Sequence, residues 1–249
     1  MSNGKMPYQR KRKSSYRSRP YTKKRRISRR PRRTNLNRVI RKSFMRLVET
    51  KKKEYSYGKI EAYHNADPIY MHLNNEPMQP DDGVGSTQRI GDVIYQRGFK
   101  VKMMLYNKSD RPNLTWQVRV CSVRRGDVSQ TAASGTISKS QFYRQIAGNA
   151  LLDDVENARY KVVKSYRFKN PQIQANVTAG AANANECVTT KSFYVAAPQK
   201  IEYSLNGNEY PTTGRDYLLV VDCFDAYGSL VTDNIGAVQC LSTMFYKDP

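Results

Sequence analysis

The basic charge of this 249-residue chain is packed into one end. Residues 1–53 hold 22 of its 43 Lys and Arg and a single acid, Glu49, for a net of +21. The other 196 residues carry 21 bases and 20 acids and are close to neutral. That division constrains folding. Residues 1–33 have 15 bases, no acid and almost no aliphatic side chain beyond Ile27. Such a segment has too little apolar surface to offset chain entropy and is expected to be disordered alone. Residues 54–249 can bury a real core, and their short runs of Tyr, Val, Ile and Phe favour strands. The chain therefore reads as a basic arm, 1–53, on a folded body, 54–249. A polycationic arm on a neutral body needs a polyanion, and nucleic acid is the first candidate, because phosphate neutralisation with counterion release supplies most sequence-independent affinity.

Within the arm, the candidate phosphate ligands are Arg10-Lys11-Arg12-Lys13, Arg17, Arg19, Lys23-Lys24-Arg25-Arg26, Arg29-Arg30 and Arg32-Arg33. Arginine forks suit bidentate phosphate contacts, which lysine makes only as a point charge. The clusters Arg10-Lys11-Arg12-Lys13 and Lys23-Lys24-Arg25-Arg26 also have the spacing of a bipartite nuclear import signal, and the two roles can share residues. Tyr8, Tyr16 and Tyr21 lie among the bases, where unpaired bases can stack on them. Residues 35–48 place Leu36, Val39, Ile40, Met45, Leu47 and Val48 near helical spacing, with Arg38, Arg41, Lys42 and Arg46 between. That pattern suits a short helix bridging body and nucleic acid, a helix on an anionic membrane, or a plain linker. Lys51-Lys52-Lys53 closes the arm.

The body reads as strands and turns. A strand through Tyr55, Tyr57, Ile60 and Ala62 shifts phase near Gly58, as at a bulge. Further runs lie at 69–73, 90–95, 99–106, 115–123, 159–168, 193–197, 201–205, 217–224 and 238–246. In 99–106, Phe99, Val101, Met103 and Leu105 share one face of the pleat. Trp116, Val118 and Val120 do so in 115–123, with Gln117 and Arg119 opposite, as in a half-buried antiparallel strand. Tyr160, Val162, Tyr166 and Phe168 are expected on one face, with Lys164 as the exception. Residues 74–87 and 171–187 read as loops, 138–150 as a loop with some helix at 141–146, and 206–208 and 225–228 as turns. With no βαβ repeat, the expected fold is all-β, an antiparallel jelly-roll sandwich of about eight strands carrying the disordered arm.

Cys121, Cys223 and Cys240 sit in apolar runs and read as small buried thiols. With Cys187 they form no C-x-x-C pair, and His64 and His72 complete no zinc pattern, so a reducing compartment is expected. No apolar run reaches the length of a membrane span and no signal peptide is read, so the sequons at Asn107, Asn113 and Asn176 are expected to stay unmodified.

The stretch Arg89-Ile90-Gly91-Asp92-Val93-Ile94-Tyr95-Gln96-Arg97-Gly98-Phe99-Lys100-Val101 resembles the second-strand region of capsid proteins from small circular, replication-initiator-encoding single-stranded DNA viruses, the circovirus and geminivirus assemblage. Leu151-Leu152-Asp153-Asp154 followed by Arg159-Tyr160-Lys161-Val162-Val163 is similar to their midchain strand, and the arginine-rich arm completes the likeness. The chain lacks the Cys/His cluster of the geminivirus pattern and the unbroken poly-arginine block usual in circoviruses. The resemblance implies a structural subunit, sixty copies of which close into an icosahedral T=1 virion shell around single-stranded DNA. It implies as partners the chain itself, the DNA, a nuclear import carrier and a host receptor, and as locations the virion and the host nucleus. Sixty arms at +21 carry about 1,260 positive charges, enough to offset on the order of a thousand phosphates. Lys59, Lys100 and Lys102 are candidates for further charge on the inner wall.

No enzyme is expected. Asp81-Asp82, Asp153-Asp154-Glu156 and Asp222 with Asp225 lie in or beside polar loops without a partnering base, so a nuclease reading is weak, and the first two pairs suit at most a calcium ion between subunits. No Walker loop, G-x-S-x-G, H-E-x-x-H or zinc spacing occurs, and no cofactor is expected. Two rivals remain. One is a nuclear shuttle or movement protein that binds single-stranded DNA without forming a shell. The other is a cellular nucleic-acid-binding module, whose specificity needs aromatic or basic residues clustered on a body sheet face, and none dense enough is legible in the sequence.

Overall fold

The computed structural model describes residues 47–74, 93–108, 111, 113–128, 132–169, 188–203, 213–226 and 229–248. Among these, nine strands form two antiparallel sheets: β1 (Thr50–Tyr63), β2 (Ile69–His72), β3 (Val93–Asn107), β4 (Leu114–Arg124), β5 (Ser134–Thr136), β6 (Tyr160–Lys169), β7 (Val188–Glu202), β8 (Arg215–Asp225) and β9 (Asn234–Lys247). One sheet runs β1-β9-β3-β7 and the other β5-β2-β8-β4-β6. With the three-residue β5 set aside, the chain crosses between sheets at every step except β4 to β6. Its first and last strands are neighbours in one sheet, and β2 and β8 are neighbours in the other. That nested order is the jelly roll.

The inter-sheet core follows from the alternation. Phe99, Val101, Met103 and Leu105 of β3 face Trp116, Val118 and Val120 of β4 and Leu219 and Val221 of β8, all buried in one cluster. Each such side chain contributes roughly 1.5–3 kcal/mol relative to exposure. The one polar atom of Trp116 is satisfied, with Nε1 donating to Asn107 Oδ1 at 3.1 Å. Cys121, Cys223 and Cys240 are free and buried, as expected, and burial pushes Cys121 and Cys240 up to about 12. Cys187 lies outside the described residues.

Several expectations need correction, mostly because bulges change the phase. The register of β1 on β9 does slip between Tyr57 and Ile60, as Gly58 suggested. But β1 starts at Thr50, so Lys51, Lys52 and Lys53 are ladder residues paired with Tyr246, Phe245 and Met244 rather than arm. The runs expected at 90–95 and 99–106 are one strand, β3, whose described part begins at Val93 and whose register shifts between Gln96 and Gly98. The runs at 193–197 and 201–205 likewise fuse into β7, which extends to Glu202. Pro198 interrupts neither, because it sits opposite that bulge on a strand paired on one side only among the described residues. In β6, Lys164 opposes Val120 while Val162 opposes Cys121, leaving Val163 as the extra residue. The slip sends Tyr166 and Phe168 to the inter-sheet core and Tyr160 and Val162 to the opposite face. It also accounts for Lys164, whose Nζ donates to the Tyr194 carbonyl at 2.7 Å and so ties edge strand β6 to edge strand β7. The short β5 carried no apolar run and was not expected. The helix expected at 141–146 is a single turn, α1 (Lys139–Phe142). The loops at 74–87 and 171–187 and the turn at 206–208 fall on residues outside those described, apart from Asn74.

Candidate nucleic-acid interface

Every sequence-predicted phosphate and import ligand, from Arg10 through Arg33, lies outside the described residues, as does most of 35–48. What the structure fixes is the root of the arm. The chain enters the body at Thr50, which pairs with Lys247 at the outer edge of the first sheet. Lys247 Nζ donates to the Val48 carbonyl at 2.5 Å, and Lys51 Nζ lies 3.4 Å from Asp248 Oδ2. The last strand and its tail thus fasten the point from which the arm departs.

The two sheets differ in what covers their outer faces. On the second sheet, Tyr70, Cys121, Val123, Leu218 and Val220 form a second core with Ile137, Phe142, Tyr143, Ala150 and Val155 of the segment between β5 and β6. This is why Arg119, expected to face water, is buried; Gln117, expected likewise, is buried beside β6, where it donates to Ser165 Oγ at 2.8 Å and the Tyr166 carbonyl at 2.9 Å and accepts from Arg167 Nε at 3.1 Å. Arg119 Nη1 donates to Asp222 Oδ2 at 2.8 Å and to Tyr143 Oη at 2.6 Å, and Nη2 donates to the Ala150 carbonyl at 3.0 Å. Tyr143 Oη in turn donates to the same Asp222 oxygen at 2.6 Å. Asp222 Oδ1 has no hydrogen-bond partner among the described residues. Burial pushes the Asp222 carboxyl up to about 6 against the pull of Arg119 and the Tyr143 hydroxyl.

The acid clusters are structural where they are described. Asp153 accepts backbone N–H groups from Ile146, Ala147 and Asn149 at 2.7–3.1 Å, and these donors hold its carboxyl below the usual carboxylate range. Both of its oxygens are thereby engaged in ordering the covering loop. Asp225 accepts from Ser229 Oγ at 2.6 Å and lies 3.5 Å from Arg111 Nε. No group of three or more metal-ligating side chains occurs among the described residues. Asp81 and Asp82 fall outside them.

The outer face of the first sheet has no such cover among the described residues. Strand β3 turns Lys100, Lys102, Met104 and Tyr106 outward, opposite the buried Phe99, Val101, Met103 and Leu105. The register sets Lys100 beside Tyr194 on β7 and Thr243 on β9, and Lys102 beside Ser192 and Leu241. One step further, Gly98 pairs with Ala196 and Phe245. A Cβ at Gly98 would meet Tyr194 Oη at 2.5 Å and Cζ at 2.8 Å, so the tyrosine ring lies down across the glycine. The Tyr194 ring sits 6.2 Å from that of Phe245, at 55°. Toward the other end, Lys59 Nζ lies 5.0 Å from the centre of the Tyr106 ring. Three of these residues, Lys59, Lys100 and Lys102, were legible as candidate bases. The aromatic partners were not, because Tyr194 and Phe245 arrive from strands distant in sequence. The register thus brings basic and aromatic side chains together on this face.

No protein-family model matches the chain, and no curated protein matches its sequence.

Proposed function

We propose that the chain is a capsid subunit that self-assembles into a small icosahedral shell and packages a single-stranded DNA genome through its basic arm. The observation that carries the reading is a +18 segment, residues 1–49, joined at a ladder-fastened edge strand to a jelly roll of low net charge. A neutral body favours close packing of many copies, since strongly charged bodies repel one another. The loops also leave large apolar side chains in water, with Ile146 86 % exposed, Leu152 73 % and Leu230 67 %. Contacts between copies are a natural use for such groups. The arm supplies charge to the enclosed polyanion and, through its two basic clusters, an import signal for assembly in the nucleus.

A shuttle protein binding the same DNA without a shell would carry the same arm, so particle mass separates the two. Sixty copies of a 28.6 kDa chain weigh about 1.7 MDa before any genome is added. Light scattering of the purified full chain is expected to find a species in that range. A protein that stays at monomer or dimer mass across salt and pH would reject the shell and favour the shuttle reading.

A further inference from the structure

We infer that the open outer face of the sheet β1-β9-β3-β7 is a binding track for single-stranded nucleic acid, with Lys100 and Lys102 meeting phosphates and the Tyr194–Phe245 pair offering a platform for an unstacked base. The inference rests on the proposed packaging function and places a second nucleic-acid contact outside the arm.

The chemistry is in the juxtaposition. Lys100 and Lys102 are exposed, neighbours on one face, and about 7 Å apart along the strand. That step is comparable with the distance between successive phosphates of an extended single strand. Neither amine has an ion-pair partner among the described residues, so both charges are available to an anion. The acids of this face stand at its margins and are engaged: Glu54 with Lys52 at 3.2 Å, Glu61 with Asn234, and Glu202 with Lys200. Among the described residues, the centre of the face is free of acids.

Beside Lys100, Tyr194 is 46 % exposed although its ring is laid down across Gly98 and braced by Phe245. An aromatic ring held flat against a sheet and open on one side is what an unpaired base stacks on, with little regard for sequence. Tyr106 plays another part. Its ring holds Lys59 and its hydroxyl lies 3.0 Å from Gln239 Oε1, so it positions a third cation rather than offering a free face. Between the two aromatic stations a shallow depression of about 230 Å³, lined by Lys102, Met104, Thr190 and Leu241, leaves room for a sugar or base. From Gly98 to Tyr106 the track runs about 27 Å, enough for a few nucleotides. A duplex keeps its bases stacked on each other, so the platform discriminates against it.

The test uses the full chain with three probes: a thymidine oligonucleotide carrying 5-iododeoxyuridine, its uridine counterpart, and the deoxy probe annealed into a duplex. Photo-crosslinked peptides are mapped by mass spectrometry. Adducts on Tyr194 or Phe245 are expected from the single strands and not from the duplex. Adducts from either sugar support the track, and the higher yield tells which nucleic acid it prefers. In parallel, the double variant Lys100→Gln/Lys102→Gln is expected to weaken single-strand binding about tenfold at physiological salt and to lower its salt slope by about 1.4, with little change for duplex. Adducts confined to residues 1–49, or unchanged affinity of the variant, would overturn the inference. So would a variant that loses assembly while binding oligonucleotides normally, because this face would then be a contact between copies. Particles of full mass and DNA content without adducts on the sheet defeat the track alone. Adducts on the sheet of a chain that never assembles defeat the shell reading alone.

Discussion

A chain lacking residues 1–33 is expected to fold and assemble but to yield particles nearly empty of DNA. The deletion removes 15 bases and no acid, lowering the net charge from +22 to about +7. For single strands each lost phosphate contact removes about 0.7 from the slope of log affinity against log salt, so losing even half of these contacts weakens binding by several orders of magnitude at physiological salt. The contacts described for the body are made without the deleted residues. Its ladder begins at Thr50, and the contacts that fasten the root involve Val48, Lys51, Lys247 and Asp248. The ratio of absorbance at nucleic-acid and protein wavelengths in purified particles reads the outcome. Particles of the deleted chain that carry as much DNA as the parent would show that the arm is not the packaging element. The intact chain should also bind oligonucleotides with steep salt dependence and little regard for base sequence, because phosphate contacts position without specifying.

The second large effect is on stability. Arg119→Met is expected to lower the thermal midpoint by on the order of 10 °C. The guanidinium joins β4 to β8 and to the covering segment through Asp222, Tyr143 and the Ala150 carbonyl. Without it, Asp222 is left buried with only the tyrosine hydroxyl as donor. Breaking a buried pair from one side costs about 3–5 kcal/mol, and a domain of this size loses about 2–4 °C per kcal/mol. The double variant Arg119→Met/Asp222→Leu removes both charges and should recover most of the loss. Trp116, the single tryptophan and fully buried between the sheets, reports unfolding by fluorescence. A midpoint for Arg119→Met within about 2 °C of the parent would mean that the buried pair does not hold the covering segment down.

The pair has a pH signature. Asp222 is raised from 3.8 to about 6, so the folded chain holds a proton that the unfolded chain releases between those values. Its contribution to stability is full below 3.8 and is lost as pH rises through about 6. Asp153, lowered by its backbone donors, does the opposite: its contribution is present above 3.8 and lost as pH falls. Removing Arg119 raises Asp222 further, so the deficit of Arg119→Met should be larger at neutral pH than in mild acid.

Much of the fold could be read from the chain because period-two alternation is a local property. Phe99, Val101, Met103 and Leu105 declared their buried face, and the phase slip at Gly58 declared a bulge. The slip at Val163 was hidden because Tyr160, Val162, Tyr166 and Phe168 keep an unbroken even spacing, and only the pairing with Val120 and Cys121 reveals that two of them face the other way. Arg119 looked solvent-facing because the segment that covers it, around Tyr143 and Ala150, is not next to it in sequence, and Gln117 because its partners Ser165 and Arg167 arrive from β6. The same limit hid the platform on the first sheet. Lys100 and Lys102 were visible as outward bases, but only the three-strand register of β9, β3 and β7 brings Tyr194 and Phe245 to them.

The proposed function requires the arm to hold DNA inside a shell built by the body. Full-length particles purified after expression are treated with nuclease, imaged by electron microscopy and extracted. The account predicts closed isometric shells whose single-stranded DNA survives the digestion. Free protein–DNA complexes with no shell, or shells whose DNA is digested as fast as naked strands, would contradict it.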